Sequence, residues 1–150
     1  MKKSILLFSV LILFVACSGA LKFKAGDIVL ADWYQDNWHL GKLGAECNEG
    51  SGWTVDFNDS FYDSAEGQEP ICYTMDKIVA NTPPAADKIK VGDVVLGEWV
   101  EDAYYSAKVD KIEGDKYSIK FVSDGWESQV TLDKLRLVPE KKVEEKKDSE

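Results

Sequence analysis

The sequence predicts an all-β protein built as two tandem copies of one small barrel, and two observations carry that reading. The first is an internal repeat that runs without a gap through its first twenty residues. Lys24-Ala25-Gly26-Asp27-Ile28-Val29-Leu30-Ala31-Asp32-Trp33 faces Lys90-Val91-Gly92-Asp93-Val94-Val95-Leu96-Gly97-Glu98-Trp99, and Tyr34 to Leu43 faces Val100 to Val109. Further on, Val55-Asp56-Phe57 pairs with Ile119-Lys120-Phe121, and Met75 to Val79 with Leu132 to Arg136. The second observation is that each copy consists of short, β-branched or alternating runs broken by turn residues, with no long amphipathic helix after Cys17.

The second copy shows the elements most clearly. Val94 to Trp99 is an opening strand, Tyr105 to Val109 alternates, and Lys116 to Phe121 alternates strictly, which puts Tyr117, Ile119 and Phe121 on one face. Glu113-Gly114-Asp115 and Ser123-Asp124-Gly125 are turn signals, so a hairpin joins the second and third strands and a tight connection follows the third. Thr131 to Leu135 reads as one helical turn before a closing Arg136-Leu137-Val138. Short antiparallel strands in so small a copy favour a closed or nearly closed barrel, which removes vulnerable edges. Pro83 and Pro84 remove backbone donors from the linker, so no ladder or helix is expected to cross it. The expected division is 22–80 and 88–138 for the barrels, 81–87 for the linker and 139–150 for a charged, disordered tail.

The run Val91-Gly92-Asp93-Val94-Val95-Leu96-Gly97-Glu98-Trp99, then Tyr105-Ser106-Ala107-Lys108-Val109, then Tyr117 to Phe121 with Asp124-Gly125, resembles a Tudor domain. The likeness covers nearly all of 88–138 and spreads more thinly over 22–80, where Gly41 stands for the alanine and His39 for the tyrosine. The resemblance implies five-stranded Tudor-like (Src-homology-3-like) barrels. It also implies an aromatic cage for methylated lysine or arginine or a related cation, held by cation–π attraction. Matched position by position, Trp99, Tyr105 and Phe121 take the first three cage places in barrel 2. Asp124 falls at the fourth, with Trp126 two residues on. In barrel 1 the matching residues are Trp33, His39, Phe57 and Tyr62, a poorer set because a protonated His39 repels a cation. Aromatics also build cores, and Phe57, Phe121 and Tyr117 are expected there, whereas Trp33 and Trp99 are expected at the rim.

Met1-Lys2-Lys3-Ser4 followed by the uncharged run Ile5 to Ala16 has the layout of a signal peptide. That run is too short for a bilayer-spanning helix, which takes about 20 residues. Leu13-Phe14-Val15-Ala16-Cys17 resembles a bacterial lipobox, although Phe14 departs from its pattern. The resemblance implies a signal peptide over 1–16, palmitate-type acylation of Cys17, a tether over 17–21 and a lipoprotein of the bacterial envelope facing periplasm or cell surface. An ordinary cleaved signal is the alternative. One acyl chain holds a membrane only marginally, so the multiple acylation of a lipobox matters. The formal net charge of −9 disfavours nucleic acid and anionic headgroups, because phosphate binding rests on clustered cations and the chain has a single arginine, Arg136.

With Cys17 lipidated, Cys47 and Cys72 remain, and an even remainder in an oxidising compartment points to a disulfide. A zinc site on Cys47, Cys72 and His39 is the weaker alternative, for it lacks a fourth ligand. The insertion 58–70 is rich in carboxylates that fit no EF-hand spacing, with Phe61 and Tyr62 placed to touch another protein. One histidine, no Ser-His-Asp set and no phosphate loop leave catalysis without its usual groups, and no cofactor is expected. The expected function is a non-catalytic binding module for a peptide or cationic side chain. The alternative is an envelope structural or assembly scaffold acting through the Phe61-Tyr62 loop.

Overall fold

A computed structural model of the chain describes residues 23–57 and 71–139. Cys17 with the leader, Tyr62 with its insertion, and the tail from 140 lie outside the described residues. The strands of the first copy are β1 (Ile28–Tyr34), β2 (Asn37–Cys47), β3 (Gly52–Asp56), β4 (Ile71–Thr74) and β5 (Ile78–Ala80). Those of the second are β6 (Val94–Val100), β7 (Ala103–Glu113), β8 (Lys116–Phe121), β9 (Glu127–Thr131) and β10 (Leu135–Leu137). Each copy is an antiparallel meander of four strands whose fifth returns to pair with the first.

The repeated Lys-x-Gly-Asp opening has a local cause. Gly26 and Gly92 adopt φ of 91° and 96°, a region that glycine enters without a Cβ penalty. Their N–H groups donate to the Leu43 and Val109 carbonyls at 2.8 and 2.7 Å. The following carboxylates, Asp27 and Asp93, accept from the Lys24 and Lys90 N–H groups at 3.0 and 2.8 Å. The long second strand then serves two neighbours: β2 pairs with β1 from Asn37 to Lys42 and with β3 from Lys42 onward. A 3-10 turn, Met75–Lys77 in one copy and Leu132–Lys134 in the other, precedes each closing strand. Both turns are pinned, Lys77 to Asp32 and Lys134 to Glu98, and each carboxylate side chain is largely buried. Those bonds hold both lysine pKa values above the ordinary range.

The unbroken apolar runs in β1 and β6 are buried on both faces. Val29 and Ala31 point into the core of barrel 1 with Leu43, Trp53, Val55, Tyr73 and Ile78. Leu30 points the other way, into a shared cluster with Trp38, Val79, Leu96 and Tyr104. Val95 likewise belongs to the core of barrel 2, with Ala107, Val109, Tyr117, Ile119, Phe121 and Leu135, while its neighbour Leu96 faces the shared cluster. Alternation along a strand thus gives one short run two cores to serve. The copies meet where β2 pairs antiparallel with β7, Trp38 opposite Tyr104, and these two residues are equivalents in the repeat. A continuous sheet β5-β1-β2-β7-β6-β10 therefore passes through a pseudo-two-fold axis.

Cys47 at the end of β2 is bonded to Cys72 in β4, with Cα atoms 6.1 Å apart, which removes both thiols from any metal role. Gly41, in the place of Ala107, has an equally local reason. A Cβ there would collide with the side chain of Val55, and barrel 1 carries the missing methyl at Ala31 where barrel 2 has Gly97.

Arg136 closes the joint. It is buried, stacks 5.2 Å over the Tyr104 ring, and donates from Nε and Nη2 to Asn81 Oδ1 in the linker at 3.0 and 2.7 Å. Its Nη1 reaches the carbonyls of Asp133 and Leu135. Lysine has no planar fork to make this set. Arg136→Lys is expected to lower stability in urea unfolding by about 2 kcal/mol, and a change below about 0.5 kcal/mol would contradict the role given to the fork.

Candidate functional site

The four aromatic residues matched in barrel 2 come together at one end of it. Trp99 lies at a β-bulge, for the β6–β7 register slips between Glu98 and Val100. A bulge re-aims one side chain out of the alternating pattern, and here it brings the indole over the barrel mouth. Its ring centroid is 4.9 Å from Phe121, 6.0 Å from Trp126 and 6.3 Å from Tyr105, in edge or tilted orientations. Phe121 is 2 % exposed and forms the floor, packed in the core beneath. Trp99 at 41 % and Trp126 at 62 % present broad apolar surface to solvent.

Trp126 reaches this place through a folded turn. Its carbonyl accepts the Phe121 N–H at 2.8 Å, and Gly125, with φ of 74°, donates to the Phe121 carbonyl at 3.0 Å. Asp124 Oδ1 accepts the Trp126 N–H at 3.0 Å, so this carboxylate builds the turn that brings Trp126 back toward Trp99. Lys120 and Glu127, paired at 3.2 Å, flank the same turn.

Barrel 1 repeats the arrangement in part. Trp33 also lies at a bulge, with the β1–β2 register slipping between Asp32 and Tyr34. Its ring meets Phe57 edge-on at 5.1 Å, and Phe57 meets Tyr73 at 5.7 Å. Tyr73, on β4, is a member of this cluster that sequence comparison misses, because the equivalent residue in barrel 2 is Val130. His39 is only 8 % exposed, and desolvation lowers its pKa from 6.5, so the ring is held neutral. Among the described residues no group of three or more His, Cys, Asp or Glu is placed to hold a metal. None of their helices is long and apolar enough to cross a membrane.

No model of a known protein family matches the chain. Nor does any curated protein match it at a significant level. Among solved structures it is similar to the Arabidopsis thaliana AGDP1 AGD34 segment, with a TM-score of 0.51 and 19% identity over 77% of this chain and 82% of that one. The tandem Agenet domain 3-4 of ADCP1 gives a TM-score of 0.47 at 21% identity, covering 77% and 79% of the two chains. The SAWADEE domain of Arabidopsis thaliana SHH1 gives 0.45 at 16%, covering 78% and 100%. The first of these carries the comparison, and at that identity it speaks to architecture alone.

A single histidine makes one pH window diagnostic. His39 has a folded pKa below 6.5, so in that interval the unfolded chain binds the proton more tightly. Its contribution to stability is complete above about pH 6.5 and is lost as pH falls through the lowered folded value, while model carboxylates titrate nearer about pH 4. Urea midpoints are expected to fall between about pH 6.5 and pH 5 and to stay level there in His39→Gln; equal slopes in the two proteins would contradict this. Strand order, pairing and the AGDP1 likeness together give this chain an all-β fold of tandem Tudor-like barrels.

Proposed function

We propose that this chain is an exported lipoprotein, anchored through acylated Cys17 and acting as a non-catalytic binding module for a peptide bearing a cationic, methylated side chain. The observation that carries the reading is the cluster at Trp99: two solvent-facing indoles, Trp99 and Trp126, beside Tyr105 and above a buried Phe121. A cation seated against such rings gains about 0.5–2 kcal/mol per contact, depending on its desolvation. The net charge of −9 draws cations toward the surface and repels anionic polymers, which fits a peptide partner and not a nucleic acid. Asp124 acts in this reading through the turn it folds, and barrel 1, through Trp33, Phe57 and His39, is the weaker site.

Titration of the full chain with a trimethyl-lysine peptide, followed by NMR of the indole N–H signals, tests the binding half. Shifts are expected at Trp99 and Trp126, with Trp126→Ala weakening affinity by about tenfold. Indole signals that stay in place at millimolar peptide would contradict the reading. The anchoring half rests on Leu13-Phe14-Val15-Ala16-Cys17 and on an uncharged leader too short to span a bilayer. Mass spectrometry of the N-terminus is expected to find Cys17 as the first residue and acylated. An unmodified N-terminus beyond Cys17 would contradict the anchor and leave the binding reading standing.

A further inference from the structure

We propose that Asp36, which belongs to barrel 1, is a positioning residue for the aromatic site of barrel 2, so that the two barrels together form the binding unit. This rests on the reading of the Trp99 cluster given above. Asp36 lies in the two-residue β1–β2 turn with φ of 70°, and its N–H donates to Asp32 Oδ1 at 3.0 Å. The turn is thereby fixed in barrel 1, and its carboxylate extends across the pseudo-two-fold axis. Oδ2 accepts the backbone N–H of Ser106 at 3.0 Å, and Oδ1 accepts the Ser106 hydroxyl. The same Oδ1 accepts the Trp38 Nε1–H at 3.0 Å.

Ser106 directly follows Tyr105, and its carbonyl accepts the N–H of Val122, which directly follows Phe121, at 2.9 Å. One half-buried carboxylate therefore holds the peptide that carries Tyr105 and, one bond further, the peptide that carries Phe121. Bonds to an ionised acceptor are shorter and stronger than neutral ones, which suits a group that fixes ring positions.

The repeat supplies an internal control. Asp102 is the equivalent of Asp36, and its N–H is fastened to Glu98 Oε1 at 3.2 Å as Asp36 is to Asp32. The barrel 1 residue equivalent to Ser106 is Leu40, which has no side-chain donor to offer. The crossing bond pair thus runs one way, toward the barrel with the more open aromatic cluster. Leu40 packs instead against the apolar cluster shared by the barrels, so the polar link across the axis is confined to the barrel 2 side.

The test uses the full chain in detergent micelles, titrated with the trimethyl-lysine peptide, alongside exchange rates of the Ser106 amide. Asp36→Asn and Ser106→Ala are each expected to weaken binding about five- to tenfold, and the double variant to lose little more. Ser106→Thr is expected to bind like the unaltered chain, and Asp102→Asn to change nothing. The Ser106 pair keeps the question answerable if Asp36→Asn does not fold. Faster Ser106 exchange in Asp36→Asn with undiminished affinity would overturn this inference and leave the Trp99 site standing. No binding by the unaltered chain would remove that site and this inference with it.

Discussion

Antiparallel pairing of β2 with β7, at Trp38 and Tyr104, obliges each copy to bury a second face. A small barrel encloses one core, and the outward side chains of its first strand ordinarily meet water. Here Leu30 and Leu96 leave their own barrels and fill a common cluster across the pseudo-two-fold axis, where Trp38, Val79 and Tyr104 complete it. Arg136 then ties the linker at Asn81 to the last turn of barrel 2 and caps the Tyr104 ring. The relative placement of the barrels is therefore set by backbone pairing, apolar burial and one clamped guanidinium. That placement is what brings the Asp36 turn of one copy against Ser106 of the other.

The aromatic site follows from the same geometry. Each first strand must turn sharply into the second at the axis, and the bulges at Trp33 and Trp99 sit at that turn. A residue re-aimed by a bulge is freed from the in-out alternation, so the indole reaches the barrel end and not its core. The copies then diverge. Barrel 2 has Tyr105 and Trp126 beside its tryptophan, whereas barrel 1 has the buried, neutral His39 and a Tyr73 that packs behind Phe57. On a common frame, the two indoles of barrel 2, Trp99 and Trp126, are left exposed at its end.

Much of this was legible in the residues. The repeat is visible because glycines, acids and tryptophans recur at one offset, and β8 from Lys116 to Phe121 shows because its alternation is strict. The helical turn before the closing strand and the pairing of Cys47 with Cys72 were also readable. The polar strand β9 gives no strand signal in its sequence, since Glu127 to Thr131 carries one apolar residue, Val130, on an open edge. The joint between the barrels was hidden for a different reason. Periodicity tells that Ile28 to Ala31 is apolar throughout, which signals burial on both faces, but it does not name the second partner. Asp36 reads as an ordinary turn acid, and its bond to a residue 70 positions away belongs to tertiary structure.

The proposed role of the Trp99 cluster as a ligand site at the barrel end is open to direct test. A crystal structure of the chain grown with a trimethyl-lysine peptide examines it most directly. Density is expected for the methylated ammonium against the faces of Trp99 and Trp126, with Asp36 still bonded to Ser106. Peptide density on another surface, or an empty site with the two indoles closed face to face, would contradict it.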